Sequence, residues 1–242
     1  MAVLMIGGMD SSGGAGLLRD CAVAARFEVP ARVAVTAVTA QTDKAVLQAD
    51  ICAPQMVQAQ IRAAFQLGPV AAVKIGMLGN AAVVRAVAEA LRTELSANAS
   101  TSVPAVLDPV IESSSGKALL DGAGLGELTQ LLPQVDLVTP NLPELARLGQ
   151  VLGAEDPVAA LLQAGAGAVL VKGGHDSGAE AVDRLVTSDQ ITTFTAPRLP
   201  GTRRGTGCTL AAAIACGLAV GQSLPGAVKQ AKAHVTSYLR AA

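Results

Sequence analysis

An α/β fold on a central, mainly parallel sheet is predicted by three observations. Short apolar, β-branched runs recur along the chain with helix-like stretches between them, the pattern of repeated βαβ units. Those runs end in polar or glycine-rich loops, and open α/β sheets bind ligands beyond the carboxyl ends of their strands. Aromatic residues are almost absent, with no Trp, one Tyr and three Phe. The core must therefore be filled by Ala, Val, Leu and Ile, which pack well between helices and parallel strands.

Taken in order, AVLMIG is the first strand and AGLLRDCAVAARF the helix after it. RVAVTAVTA forms a second strand and PQMVQAQIRAAFQL a second helix. VAAVKIGML, PAVLDPV, VDLVTP and AVLVKGG each repeat one pattern, an apolar strand running into a functional type of loop. ALLDGAGLGELTQLL and LPELARLGQVL supply further helices, and EAVDRLVTSDQITTFTAP reads as a hairpin with Ser188 and Asp189 at its turn. Near the end, RRGTGCTL opens a buried helix, AAAIACGLAVG. No repeat, low-complexity tract or Pro/Ser-rich linker marks a boundary, so one domain over 1–242 is expected.

Composition excludes several classes of function. The chain has 242 residues, is 51% hydrophobic and carries a formal net charge of -1. Arg203 and Arg204 are its only adjacent basic pair, which argues against a nucleic-acid surface and for a small-molecule partner. The opening MAVLMIGG lacks a basic region and a long apolar run, so no signal peptide is read. The most apolar stretch, LAAAIACGLAV, is about half the ~20 residues that span a bilayer. A cytoplasmic chain with no membrane partner is expected. Cys21, Cys52, Cys208 and Cys216 form no CxxC pair and no zinc-like cluster with histidine, so neither disulfides nor structural metal are expected.

IGGMDSSGGAG follows the first strand and opens a helix, where a phosphate loop would stand, but the spacings exclude the common ones. A Walker A sequence from Gly8 needs Lys and Ser or Thr after Gly13, where Gly14 and Ala15 stand; GxGxxG from Gly14 meets Arg19 at its last glycine. The second failure argues against a Rossmann oxidoreductase. Ser11, Ser12, Gly13 and Gly14 either present free N–H groups to a polar or anionic ligand at the helix start, or make a plain serine-capped turn.

GTGC at 205–208 is more informative. Two glycines around a threonine let consecutive N–H groups converge at the start of a helix, a nest able to hold a phosphoryl group in flight. Cys208 is then either a thiol of lowered pKa acting as base or proton relay, or a small half-buried hydrophobe. Asp108 in VLDPV, Asn141 and Glu144 in TPNLPE, and Lys172 in VKGGH all end strands. Singly they read as loop residues; together they make an oxygen shell suited to Mg²⁺, with a lysine to balance nucleotide phosphates. Gln41 and Met77 would face a substrate near the first glycine loop, or be a solvated side chain and core filling. His175 is expected to position the KGGH loop, and His234 lies apart on a terminal helix.

In this order, GGMDSSGGAG, TAVTAQT, KIGML, VLDPV, TPNLPE, VKGGH and GTGCTLAAAIA resemble the hydroxymethylpyrimidine/phosphomethylpyrimidine kinases of the ribokinase-like superfamily, from about Leu4 to Leu239. The resemblance implies a three-layer α/β/α sandwich, commonly a homodimer, that uses ATP to phosphorylate 4-amino-5-hydroxymethyl-2-methylpyrimidine and then its monophosphate. By the same resemblance Gln41 hydrogen-bonds the aminopyrimidine, and Gly8, Asp20, Met77 and Val110 complete that pocket. Asp108 and Glu144 lie around Mg²⁺, Asn141, Lys172 and Thr206 contact the nucleotide, Gly205, Thr206 and Gly207 form the anion hole, and Cys208 stands where related sugar kinases carry an aspartate. Where the family usually has a Thr-His pair before GTGC, this chain has Arg203 and Arg204, read either as ligands for a phosphate or as a solvated basic pair. A pyridoxal kinase and a non-catalytic pyrimidine-binding protein are the competing readings, and Thr39 to Gln48 is the candidate lid.

Overall fold

The computed structural model describes residues 1–97, 102–113, 115–175, 178–200 and 203–241, without the side chain of His175, whose expected role thus falls outside the described residues. Nine strands among them form one sheet: β1 (Ala2–Asp10), β2 (Ala31–Gln41), β3 (Val46–Ile51), β4 (Val70–Ile75), β5 (Ala105–Leu107), β6 (Leu137–Val138), β7 (Val169–Val171), β8 (Glu180–Val186) and β9 (Ile191–Pro197). Their order is β3-β2-β1-β4-β5-β6-β7-β8-β9. The sheet is parallel from β2 across to β7 and antiparallel at both margins.

Helices cover both faces: α1 (Gly16–Arg26), α2 (Pro54–Gln66), α3 (Ala81–Ala97), α4 (Gly122–Glu127), α5 (Leu142–Leu152), α6 (Pro157–Gln163), α7 (Thr206–Ala219) and α8 (Leu224–Arg240). Successive strand residues point to opposite layers. Val3 and Met5 of β1 pack with residues of α1, α7 and α8, while Leu4 and Ile6 pack with α2, α3, α5 and α6. Because both faces of the sheet are covered, its central strands read as unbroken apolar runs. Helix α7 is buried continuously from Thr209 to Gly217, which explains its alanine-rich sequence with no polar face. A Cβ on Gly217 would stand 2.9 Å from that of Ala227 in α8, so the close approach of these two helices requires glycine there.

Two elements differ from expectation. ALLDGAGLGELTQLL is not one helix. Asp121 caps α4 by accepting from the Gly124 N–H at 2.6 Å, and the turn tightens to a 3-10 helix from Leu128 to Gln134 that contains Pro133. Three glycines in six residues and a proline lower helical propensity too far for a regular helix. The candidate lid is a β-hairpin, a strand pair not assigned from sequence: Thr39 pairs with Ala49 and Gln41 with Val46, closed by Thr42 N–H donating to Ala45 O at 2.9 Å. The expected hairpin at Ser188 and Asp189 is present as β8 and β9.

From β1 the chain steps outward to β2 and β3, then crosses to β4 on the other side of β1. Such a reversal leaves a crevice at the carboxyl ends of the strands. The loops that follow β1, β4, β5, β6 and β7 all open into it.

Candidate active site

The crevice is a cleft of about 1430 Å³. That exceeds the ~300–1,000 Å³ of a site for one small ligand, so a second ligand fits beside the first. It receives every site residue predicted from the sequence: Gly8, Asp20, Gln41, Met77, Asp108, Val110, Asn141, Glu144, Lys172 and the turn 205–208.

A charged group lies at its centre. Lys172, just past β7, donates to Asp108 Oδ1 at 2.9 Å and lies 3.8 Å from Glu144 Oε2. Asp108, just past β5, also accepts from Thr139 Oγ1 at 3.3 Å. Burial pushes the Asp108 carboxyl up, but the charges of Lys172 and Lys74 and the hydrogen bonds from Lys172 and Thr139 outweigh it and hold the group below its usual range. Glu144 is different: burial, aided by the charge of Asp108, outweighs Lys172 and raises it to about 7. Two carboxylates in one crevice are thereby held in different protonation regimes.

Asn141 and Glu144 owe their positions to the start of α5. Asn141 Oδ1 accepts from the Glu144 N–H at 2.8 Å, and Glu144 Oε2 accepts from the Asn141 N–H at 2.9 Å. This reciprocal capping box fixes the helix end and aims the carboxylate at the cleft. No group of three or more His, Cys, Asp and Glu gathers among the described residues. Asp108 and Glu144 nevertheless form a donor set that fits Mg²⁺, an ion commonly held by one or two carboxylates together with phosphate oxygens and water.

The 205–208 turn meets this group from the opposite side. Gly205 has φ +74 and precedes α7. A Cβ on it would stand 2.3 Å from Gly14 O, whereas one on Gly207 would lie 3.5 Å from both Asp108 Oδ2 and Lys172 Nζ. The free N–H groups of α7 therefore open beside the lysine. Cys208 corrects an expectation. Its thiol is not lowered by the helix end but pushed up to about 11, chiefly by burial, with Asp20 and Asp108 adding to the effect and Lys74 opposing it.

The rest of the cleft is lined by Gly8, Met77, Gln41, Val110 and Asp20. A Cβ on Gly8 would stand 2.8 Å from Met77 Sδ, so the missing side chain is what admits Met77. Gln41 is held by its main chain, its N–H donating to Ser11 Oγ at 3.0 Å, while its Oε1 accepts from Thr39 Oγ1 at 3.2 Å. Val110 follows Asp108 in a tight turn, its N–H donating to Asp108 O at 2.8 Å. Asp20 lines the cleft and is also paired with a lysine. Its carboxylate is fully buried and accepts from Lys74 at 2.8 Å, leaving Oδ1 without a hydrogen-bond partner. This pair forms the floor of the cleft, and Lys74, 54 residues distant, was not identified from sequence.

The arginine pair lines the cleft, and the solvated reading is corrected, for both side chains have partners within the chain. Arg203 stacks on Tyr238, 3.7 Å from the ring centre, and donates to Tyr238 O. Arg19 lies 3.9 Å from the same ring. Two guanidiniums at such distances do not fit on one face, so the ring is held between them. Arg204 donates to Asp10 Oδ2 at 2.7 Å and to the tip of the β2–β3 hairpin. Asp10, Arg19 and Tyr238 also went unnoticed in the sequence. A serine pair after Asp10 was the available signal, since Ser12 N–H and Oγ both donate to Asp10 Oδ1.

Comparison with known proteins gives a consistent result. Residues 10–242 match the family model described as phosphomethylpyrimidine kinase. A hydroxymethylpyrimidine/phosphomethylpyrimidine kinase of Streptomyces coelicolor is 42% identical over 246 residues, covering 99% of this chain and 88% of that protein. The crystal structure of a phosphomethylpyrimidine kinase from Clostridium difficile superposes with a TM-score of 0.83 at 31% identity, covering 99% of each chain. A Staphylococcus aureus pyridoxal kinase, solved with AMP-PCP and pyridoxal, superposes with a TM-score of 0.83 at 27% identity, over 98% of this chain and 87% of that one.

Proposed function

We propose that this chain, which belongs to the phosphomethylpyrimidine kinase family, is a single-domain enzyme that phosphorylates 4-amino-5-hydroxymethyl-2-methylpyrimidine with ATP, first to the monophosphate and then to the diphosphate. The observation that carries this reading is the approach of Gly207 to Asp108 and Lys172, which brings a helix N-terminus and a buried cation to one point. Donors so arranged stabilise charge that develops on a phosphoryl group in transfer.

In this reading Gly8, Met77 and Val110 enclose the pyrimidine above the Asp20–Lys74 floor, and the amide of Gln41 supplies a donor and an acceptor to the amino group and its neighbouring ring nitrogen. Lys172, Asn141 and Thr206 hold nucleotide phosphates, and the N–H groups of Gly205 to Gly207 receive the transferring group. Asp108 and Glu144 would hold Mg²⁺, which would supply positive charge to the nucleotide phosphates. The substrate hydroxyl oxygen attacks the γ-phosphorus as the bond to the β-phosphate oxygen breaks, and ADP leaves. ATP as co-substrate favours a cytoplasmic enzyme; among the described residues no helix is long and apolar enough to cross a membrane. A homodimer would cover Leu47 and Met56, apolar side chains that are 67% and 57% exposed near the β3 edge.

A thiol near 11 is ionised in only about one molecule in 10⁴ at pH 7. Cys208 thus acts as a neutral group that orients the substrate hydroxyl, and the hydroxyl proton passes late, as a loose transition state allows, to an oxygen of the transferred phosphoryl group and from there to solvent. Cys208→Ala is expected to lower kcat about 10- to 100-fold and Cys208→Ser distinctly less. Parent rates for the alanine variant in both transfers would remove this role.

Glu144 makes a separate prediction. Only its ionised form ligates a metal, and it is protonated below about 7, so Mg²⁺–nucleotide binding releases a proton at pH 6 and tightens by up to about tenfold per pH unit until pH 7. Above pH 8 the release vanishes. Calorimetry in two buffers of different ionisation enthalpy measures it; no release at pH 6 means that Glu144 is not a ligand.

The activity itself is tested by Mg²⁺-dependent ADP release with the pyrimidine and with pyridoxal, the products resolved by mass. Diphosphate from the pyrimidine is expected. Turnover of pyridoxal alone would move the assignment to a pyridoxal kinase, and binding without ADP release would make the chain a binding protein.

A further inference from the structure

The guanidinium of Arg204 joins three segments that are far apart in sequence. Its Nη2 donates to Asp10 Oδ2 at 2.7 Å, at the end of β1. Its Nη1 lies within hydrogen-bonding distance of Ser12 Oγ at 2.9 Å, in the first glycine loop, and of Thr42 O at 2.9 Å and Asp43 Oδ1 at 3.2 Å, at the hairpin tip. Its own carbonyl accepts from Tyr238 Oη at 2.9 Å, and the next residue is Gly205, whose φ of +74 begins the nest.

These contacts differ in permanence. Asp10 is only 4% exposed at its side chain and is held on all sides: Oδ1 accepts from Ser12 and Oδ2 from the Ala15 N–H at 2.9 Å as well as from Arg204. Asp43 is 87% exposed. Nη1 carries two hydrogens for three acceptors, so at least one bond is shared, and the long, exposed one to Asp43 is the weakest. The arginine is thus anchored to the glycine loop and holds the hairpin by a lighter grip. The hairpin carries Gln41, whose main chain is fastened to Ser11, the neighbour of Ser12.

We infer that Arg204 is a positioning residue for the pyrimidine: it straps the Gln41 hairpin and the first glycine loop to the residue that opens the anion hole, so that the ring and the transferring phosphoryl group are set in one register. The inference rests on the reading of the cleft given above. A strap of this kind acts on ground-state and transition-state binding alike, and its loss therefore raises KM for the pyrimidine more than it lowers kcat. A planar fork reaches several acceptors at once and an ammonium does not, so lysine is a poor replacement.

The test uses the full-length enzyme, first assayed with the pyrimidine and with pyridoxal. Arg204→Lys is expected to raise KM for the pyrimidine about tenfold with kcat within about threefold and KM for ATP unchanged. In the ligand-free protein, amide hydrogen exchange of 42–48 is expected to quicken by tenfold or more while that of α7 stays at its parent rate. Asp43→Ala, at an exposed position that folding does not depend on, is expected to quicken the same amides two- to threefold. A fall in kcat at constant KM would overturn the strap in favour of a direct contact with the phosphoryl group. Unchanged exchange in both variants would overturn it outright, whatever the activity assay gives. Parent activity on pyridoxal alone would overturn the substrate reading yet leave the exchange result to stand or fall by itself.

Discussion

Lys172→Met is expected to lower kcat/KM about 10³-fold or more. The lysine touches Asp108 at 2.9 Å, approaches Glu144 at 3.8 Å and faces the opening of α7. Removing it takes away the cation for the phosphates and also leaves two carboxylates in one buried place with nothing between them. A buried carboxylate stripped of its partner costs about 3–5 kcal/mol while it remains charged, so Glu144, already raised to about 7, is expected to hold its proton to higher pH. The sign of the stability change then follows. In the parent the lowered Asp108 contributes stability that is present above the ordinary carboxylate range and lost as the pH falls through its own pKa. In the variant that contribution shrinks while Glu144 is raised further, and stability falls as the pH climbs from the carboxylate range upward. Kinetics at pH 7 together with thermal unfolding from about pH 2 to 8, which spans the carboxylate range and the region below it, separate the two effects. A kinetic loss below tenfold would show that the phosphates do not rest on Lys172.

Gly205→Ala is expected to be severely damaging although the residue has no side chain. At φ +74 an alanine is strained by itself, and its Cβ would stand 2.3 Å from Gly14 O, a main-chain atom that cannot swing aside. The start of α7 and the first glycine loop would have to separate, and with them the two halves of the cleft. A fall in kcat/KM of about 10²-fold or more, with about 2–3 kcal/mol lost in unfolding, is the expected outcome. Gly126→Ala is the control. Nothing lies within 4 Å of a Cβ there and the residue is inside α4, so it should be neutral or stabilising by about 0.5–1 kcal/mol. Equal effects at both positions would mean that the contact with Gly14 is not what sets the turn.

The strands were readable because a parallel sheet covered on both faces writes itself as apolar runs, and the cleft was readable because each run stops at a polar residue. Asp108, Asn141, Glu144 and Lys172 follow from that alone. Protonation was not readable: the position of Cys208 at a helix start suggests a lowered thiol pKa, but burial in the fold acts in the opposite direction and is the larger influence. Partnership across the chain was equally hidden. Lys74 stands in an apolar strand sequence, and only the fold shows Asp20 beneath it. Arg203 and Arg204 are adjacent in sequence, yet one serves an aromatic ring on α8 and the other a hairpin some 160 residues upstream. The β2–β3 hairpin is not marked in the sequence because β3 is a short margin strand, largely exposed, with little hydrophobic pattern to show it.

Tyr238 is the chain's single tyrosine, and the chain has no tryptophan. Its near-ultraviolet emission is consequently that of one phenol, stacked between Arg19 and Arg203 and bonded through its hydroxyl to the carbonyl of Arg204. The molecule therefore contains a built-in optical gauge at the mouth of its cleft, and light absorbed by that ring reports on the strap without any label being attached.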